Sequence, residues 1–260
     1  MAERTELIIC SGDQLLQLTT RRRFLGLLAI GGSILMLPSV FTACSDDDSI
    51  TDPFVDPDRY RLNLSNDTGI LNYAYVLEQL EAAFYTAALS SAGFTALSAA
   101  EQEVLQDLQQ HEVIHREFFK QVLGTAALPA VGFNTTTLGT LTANRDVLLS
   151  TSQLLEDTGV SAYNGAGKYL TSAANLLVAG KIVSVEARHA AAIRDIRDGT
   201  TGRKFAGDDV VNAQGLDVKS EPSDVLSAVA SLNLITSPLS ITTQPDGSKL
   251  TANFPAPTPT

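Results

Sequence analysis

Two glutamates in this 260-residue chain are each followed, three positions later, by a histidine. The pairs are Glu112-Val-Ile-His115 and Glu186-Ala-Arg-His189. Positions i and i+3 project from one face of an α-helix, so a carboxylate and an imidazole can reach one ion without bending the backbone. With 11 glutamates and three histidines in the chain, chance predicts roughly 0.1 such pairs. The two pairs therefore indicate a metal site built by two helices.

Both pairs lie on the apolar face of their predicted helix. The residues in phase with them are apolar: Leu108, Phe119 and Val122 around the first, and Ile182, Ile193 and Ile196 around the second. Ion-paired surface histidines, the alternative interpretation, would not follow this apolar phase. A buried carboxylate without a partner costs several kcal/mol. We therefore expect cations to compensate the charge of the inward-facing glutamates.

Two further segments carry a glutamate with a tyrosine seven residues later, Glu78 with Tyr85 and Glu156 with Tyr163. Seven residues are two helical turns, so each tyrosine lies on the stripe of its glutamate and can hydrogen-bond near the site. The order Glu-x6-Tyr, then Glu-x-x-His, occurs twice along the chain. This repeat predicts pseudo-twofold symmetry.

Four long segments with apolar residues at helical spacing position these side chains. They cover about residues 68–91, 98–123, 143–166 and 172–198. Ser98 and Glu101 form a Ser-x-x-Glu capping box, whereas Gly159 lies inside the third segment, where glycine costs about 1 kcal/mol. A link over residues 125–142 is long enough to cross one end of a bundle. We predict an all-α four-helix bundle over residues 67–199, with a long crossover between helices two and three.

Four stretches together resemble the ferritin-like domain of desiccation- and stress-associated proteins, in its exported bacterial form with a twin-arginine signal. They are Leu77-Glu-Gln-Leu-Glu-Ala-Ala-Phe-Tyr85, His111-Glu-Val-Ile-His115, Leu155-Glu-Asp-Thr-Gly-Val-Ser-Ala-Tyr163 and Val185-Glu-Ala-Arg-His189. The resemblance covers about residues 67–198. It implies a carboxylate-bridged pair of iron or manganese ions inside the bundle.

The resemblance also implies a role for each residue. Glu112 and Glu186 are implied as the two carboxylates that bridge the ions. His115 and His189 each bind one ion, and Glu78 and Glu156 are the terminal ligands. Glu81 shares nearly the same helical face as Glu78 and is the alternative ligand, although the Glu-x6-Tyr register of ferritins and bacterioferritins favours Glu78. Tyr85 and Tyr163 are the candidate catalytic residues. His111 points away from the ligands and is expected beside the site or at the surface.

Residues 1–44 have the composition of an export signal. Thr20-Arg21-Arg22-Arg23-Phe24-Leu25 precedes an uncharged apolar run from Phe24 to Val40, and together they resemble a twin-arginine signal. The alternative is a membrane anchor, but these 17 residues, interrupted by Pro38, are short for a span of about 20. Cys44 resembles the lipidated cysteine of a lipoprotein, while Phe41 three positions earlier leaves ordinary cleavage open. We expect a periplasmic or cell-envelope location.

The regions flanking the predicted bundle carry weaker patterns. Residues 45–66, rich in Asp and Pro, indicate a linker. In the C-terminal extension, residues 200–260, we expect a short helix after Pro222, packed against the bundle, and then a poorly ordered tail. Cys10 lies within the leader, so a processed chain has at most one cysteine and no internal disulfide.

Charge and ligand chemistry limit the function. A net charge of −11 argues against a nucleic-acid partner, which needs clustered Lys and Arg. Paired ions with carboxylate and imidazole ligands suit reaction with dioxygen or peroxide. We expect a ferroxidase, peroxidase or catalase-like protein of envelope stress protection, in contact with a membrane only through a lipid on Cys44. The alternatives are a non-catalytic metal-binding or storage protein and a metal-free structural stress protein. A second copy of the chain, in a homo-oligomer, is a further candidate partner.

Overall fold

The structure is a computed structural model that describes residues 57–198, 204–205, 207 and 209–253. These residues form seven α-helices: α1 (Asp67–Ala88), α2 (Ala92–Thr95), α3 (Ala99–Leu123), α4 (Thr135–Leu141), α5 (Arg145–Ala166), α6 (Ala173–Asp198) and α7 (Pro222–Ser231). They also form three strands: β1 (Arg61–Asn63), β2 (Ser240–Thr243) and β3 (Lys249–Asn253). The predicted export signal and residues 45–56 of the predicted linker lie outside the described residues.

The four long helices α1, α3, α5 and α6 form the predicted bundle. Helix α1 packs mainly on α3, and α5 packs mainly on α6; the two pairs meet where α1 contacts α5 and α3 contacts α6. The space between them is filled by large side chains that are fully buried, among them Tyr73, Phe84, Leu105, Leu148 and Ile193. The mostly helical fold agrees with the prediction from the periodic apolar segments. No helix within the described ranges is both long and apolar enough to cross a bilayer.

The ends of the long helices are set by local side-chain chemistry. The Ser98 hydroxyl accepts a hydrogen bond from the Glu101 N–H, and the Glu101 carboxylate accepts one from the Ser98 N–H, which is the predicted capping box of α3. Glu101 also pairs with Arg145 in the first turn of α5. Gly124, with φ 53°, ends α3 in a conformation that favours glycine. This capping network joins the start of α3 to the start of α5.

The link between α3 and α5 is the predicted long crossover, and it contains the short helix α4. The crossover is anchored to α1, because the buried Gln79 side chain accepts a hydrogen bond from the Val131 N–H at 2.9 Å. The Asn134 N–H donates to the Leu234 carbonyl at 2.8 Å. The crossover therefore also contacts the C-terminal extension.

The structure corrects the linker prediction over residues 57–66, which contain a 3-10 turn and strand β1. As far as residue 253, it also corrects the prediction of a poorly ordered tail, because β2 pairs parallel with β1 and antiparallel with β3. Leu62 and Ile241 are partners in this sheet, and each is 1% exposed. Pairing of segments so distant along the chain leaves no local sequence period, which is why the pattern did not reveal it.

Helix α7 is the short helix predicted after Pro222. It packs against α5 and buries Val225, Leu226 and Val229. The approach is close, because a Cβ at Gly165 of α5 would lie 1.8 Å from the Ser220 carbonyl oxygen. Glycine is therefore required at this position for the C-terminal extension to dock on the bundle.

Candidate metal centre

The six side chains implied as ligands converge in the middle of the bundle, and they come from all four long helices. The donors are Glu78 on α1, Glu112 and His115 on α3, Glu156 on α5, and Glu186 and His189 on α6. The four carboxylates have no exposed surface, and the two imidazoles are 8% and 3% exposed. The i, i+3 spacing brings each carboxylate and imidazole to the same inward face, as predicted.

The donors form two overlapping groups. In the first group, His115 Nδ1 lies 2.8 Å from the nearest Glu186 oxygen, 3.4 Å from Glu78 and 3.5 Å from Glu112. The ligand atoms of this group all lie within 4.8 Å of one another. This spacing is compact enough for a single ion to contact every member.

The second group repeats the first with the helices exchanged. Here His189 Nδ1 lies 2.8 Å from Glu112, 3.4 Å from Glu156 and 3.6 Å from Glu186, again with all ligand atoms within 4.8 Å. Glu112 and Glu186 belong to both groups, as bridging carboxylates would. The distances from Nδ1 to the carboxylates are nearly equal in the two groups, as expected from the pseudo-twofold symmetry that the repeated motif predicts.

Apart from these imidazole–carboxylate contacts, the inner polar atoms of the two groups are buried without partners. Across the described part of the chain, eight buried oxygen and nitrogen atoms of the six side chains make no hydrogen bond of acceptable geometry. These include both oxygens of Glu112 and of Glu186, and the Nδ1 atoms of both histidines. Buried polar groups are almost always hydrogen-bonded, so such a cluster requires another partner. Carboxylate and imidazole donors facing a common centre fit divalent first-row metal ions.

Mutual repulsion and burial shift the titration of these groups. Burial, together with the charge of Glu186, raises the pKa of Glu112 to about 8. Burial likewise raises the pKa of Glu156, to about 7, against the opposing effect of His189. Burial also raises the pKa of Glu186, but the two adjacent imidazoles outweigh it and lower that pKa to about 2. The carboxylates therefore do not all ionise easily unless cations balance them.

The two tyrosines hydrogen-bond to the terminal carboxylates, but crosswise between helices. Tyr85 on α1 donates to Glu156 on α5 at 2.6 Å, and Tyr163 on α5 donates to Glu78 on α1. The shared stripe predicted that each tyrosine lies near the site, and this is where the structure places them. Each hydroxyl holds the outer oxygen of the opposite glutamate, which leaves the other oxygen directed at the cluster.

Glu81, the alternative to Glu78, belongs to neither group of ligand atoms. It is nevertheless buried, and burial together with the charges of Glu112 and Glu186 raises its pKa well above the usual range. Its carboxylate lies against Gly159, where an added Cβ would be 3.0 Å from Glu81 Oε1. Gly159 does not interrupt α5, and its lack of a side chain gives Glu81 the space it occupies.

His111 lies beside the site, one of the two positions predicted for it. The residue is exposed, yet its Nδ1 lies 2.8 Å from His189 Nε2 across the α3–α6 interface. Both rings line a cavity of about 400 Å³ that also reaches His115. The sequence shows only that a third histidine precedes Glu112, so the contact between helices could not be read from it.

A comparison with protein-family models agrees with the fold and the site. The model of the ferritin-like domain matches residues 66–198, about half of the chain. The chain therefore belongs to the ferritin-like domain family, with a buried Glu/His cluster suited to a di-metal site. Among curated proteins, none matches the chain significantly.

Proposed function

We propose that this protein binds two iron or manganese ions in the bundle core and reacts with dioxygen or peroxide, as a ferroxidase, peroxidase or catalase-like protein. The observation that carries this proposal is the set of eight buried donor atoms without hydrogen bonds, all in the two ligand groups. One proton on each imidazole Nδ1 can satisfy only one of the six carboxylate oxygens, and each oxygen left without a partner costs about 1–3 kcal/mol in the folded state.

Charge balance supports two divalent ions. The two groups contain four different carboxylates, Glu78, Glu112, Glu156 and Glu186. Their four negative charges equal the charge of two divalent cations. Mixed carboxylate and imidazole donors suit iron and manganese better than magnesium or calcium, which prefer oxygen ligands alone.

The surrounding side chains would hold these donors ready for ion binding. Tyr85 and Tyr163 fix the terminal glutamates from behind, and the packed core keeps water away from the carboxylates. When bound, paired iron or manganese ions supply redox chemistry toward oxygen species. The cavity between α3 and α6 gives a small molecule a path to the imidazole side of the cluster.

The proposal includes a location in the cell envelope, with a role in protection against oxidative or drying stress. It is supported by the paired arginines and the apolar run before Cys44. Fractionation of cells that express the full chain tests the location. Substitution of Arg21 and Arg22 by lysine should retain the protein in the cytoplasm, and Cys44→Ser should release it from membranes if the cysteine is lipidated.

Metal analysis combined with single-turnover kinetics tests the function. The full chain is recovered from its own host and its metal content measured; Fe(II) with oxygen, and separately hydrogen peroxide, are then added under stopped flow. We expect two ions per chain and turnover in at least one assay. Glu112→Gln should abolish both the binding of two ions and the turnover. Glu103→Gln, a change of an exposed glutamate on the same helix, should leave both intact.

Other results would assign a different function. Two ions without turnover in either assay would indicate a non-catalytic metal-binding protein. Many more ions per chain, in a large hollow assembly, would indicate storage. A chain that binds no ion under any of these conditions would refute the di-metal proposal and leave a structural bundle.

A further inference from the structure

The two groups of ligand atoms are nearly symmetric, but their surroundings are not. On the His189 side, a second imidazole is in contact, with His111 Nδ1 2.8 Å from His189 Nε2. On the other side, no hydrogen bond to His115 Nε2 is found within the described ranges. The symmetry of the four-helix motif is therefore broken at the next layer of residues.

The geometry of the two rings is that of an in-plane hydrogen bond. The ring planes of His111 and His189 differ by 15°, and their centroids are 5.1 Å apart. The nitrogens are much closer than the centroids, so the rings meet edge to edge and nearly coplanar, rather than face to face. In this arrangement the N–H of one ring points at the lone pair of the other.

The direction of this hydrogen bond follows from the atom that faces the carboxylates. His189 Nδ1 is directed at Glu112, at 2.8 Å, so it is the atom that would bind an ion and it must then carry no proton. The neutral ring keeps its proton on Nε2 and donates it to His111 Nδ1. A partner on the outer nitrogen fixes both the tautomer and the orientation of a ligating histidine.

We propose that His111 is a positioning residue for the metal position of His189, and that it makes this position bind its ion more tightly than the position of His115. The inference rests on the proposed di-metal function. His111 lies on α3 and His189 on α6, so the bond crosses between the two helices that supply the shared carboxylates. The two ions are consequently inequivalent, although the motif that binds them is repeated.

Calorimetric titration of metal-free protein with Co(II) tests the proposal. For the wild-type chain we expect two binding steps of different affinity. His111→Ala should weaken the tighter step by about 10- to 100-fold, the usual effect of losing such a partner, and leave the other step within twofold. Val104→Ala serves as the matched control, because Val104 lines the same cavity without a hydrogen bond to His189.

Two further measurements separate positioning from a general structural effect. His111→Gln, whose side-chain oxygen can still accept a hydrogen bond from His189 Nε2, should restore much of the lost affinity. Exogenous imidazole should do the same in His111→Ala by entering the enlarged cavity. In NMR spectra of the Co(II)-loaded wild-type protein, the N–H of one ligand histidine should exchange slowly with solvent, and this protection should disappear in His111→Ala.

The outcomes distinguish this inference from the function on which it rests. A wild-type chain that binds fewer than two Co(II) ions refutes the proposed function, and the inference with it. If the wild type binds two ions and His111→Ala leaves both affinities unchanged, or weakens both equally, the inference alone is overturned. Because His111 is exposed, the metal-free variant should unfold at the wild-type temperature.

Discussion

Substitution of a carboxylate that belongs to both ligand groups should affect the stability of this protein in opposite directions with and without metal. Glu112 is fully buried, and burial with the charge of Glu186 raises its pKa from 4.5 to about 8. A carboxyl whose folded pKa is raised stabilises the fold fully only below its unfolded pKa, and that stability is lost as the pH rises toward the folded value. The metal-free protein should therefore lose stability between about pH 4.5 and 8.

The stability lost at pH 7 follows from the distance between this pH and the unfolded pKa of Glu112, 4.5, at about 1.4 kcal/mol per pH unit. This gives a penalty of about 3 kcal/mol, which Glu112→Gln removes because glutamine has nearly the same size and no charge. For a domain of this size, 1 kcal/mol shifts the melting temperature by about 2–4 °C. The metal-free variant should therefore melt about 6–12 °C above the metal-free wild type at pH 7, and the difference should shrink toward pH 4.5.

Metal should reverse the order of the two proteins. An ion present at 100 times its dissociation constant stabilises the folded state by about 2.7 kcal/mol, so two independent ions give about 5 kcal/mol. Glu112 belongs to both ligand groups, so Glu112→Gln should forfeit most of this gain. Manganese added to the wild type should thus raise its melting temperature above that of the variant.

Differential scanning calorimetry between pH 5 and 8, with chelator and then with Mn(II), measures both effects. Glu103→Gln, on an exposed face of the same helix, should behave like the wild type in every condition. A melting temperature of metal-free Glu112→Gln below that of the metal-free wild type at pH 7 would show that the buried charge of Glu112 does not destabilise the fold. An equal gain from manganese in both proteins would show that Glu112 is not a shared ligand.

Three more substitutions test how the structure supports the site, each by urea unfolding of metal-free protein. Gly159→Ala should lower the unfolding free energy by about 1 kcal/mol, because the added Cβ would press on the Glu81 carboxylate. In a Glu81→Ala background the same change should raise the unfolding free energy by about 1 kcal/mol. Equal effects in both backgrounds would rule out this contact. Asp67 accepts four hydrogen bonds around the start of α6, which overcome the effect of burial and lower its pKa from 3.8 to about 2. Asp67→Asn should therefore cost roughly 1 kcal/mol of unfolding free energy at pH 7 after solvent screening. This difference in stability between variant and wild type should vanish as the pH falls from about 4 through 2. Arg194 is 4% exposed and paired with two aspartates, so Arg194→Met should lower the unfolding free energy by about 2 kcal/mol. The control Arg188→Met, at an exposed position, should change it by less than about 0.5 kcal/mol.

The spacing of residues along the chain was enough to predict the helices of the bundle and which donors face its interior. Glu112 with His115, and Glu186 with His189, are one helical turn apart and in phase with apolar neighbours, so any packed arrangement of these helices directs them inward. The start of α3 was also predictable, because the capping box acts between residues three positions apart. These features depend only on short-range geometry, which sequence encodes directly.

Other features depend on which helices become neighbours. Glu78 and Glu81 are three residues apart on nearly one face, and only the packing of α1 places the first in a ligand group and the second against Gly159. Likewise, the contact between His111 and His189 exists only because α3 lies beside α6.

The sheet gives the same lesson at longer range. Leu62 pairs with Ile241 from the far end of the chain, so residues assigned to a linker and to a tail complete the folded unit. Helical periodicity therefore determined which side chains face the core. Tertiary packing decided which of them meet, because a contact between distant segments depends on the relative position of whole elements and leaves no period in either segment.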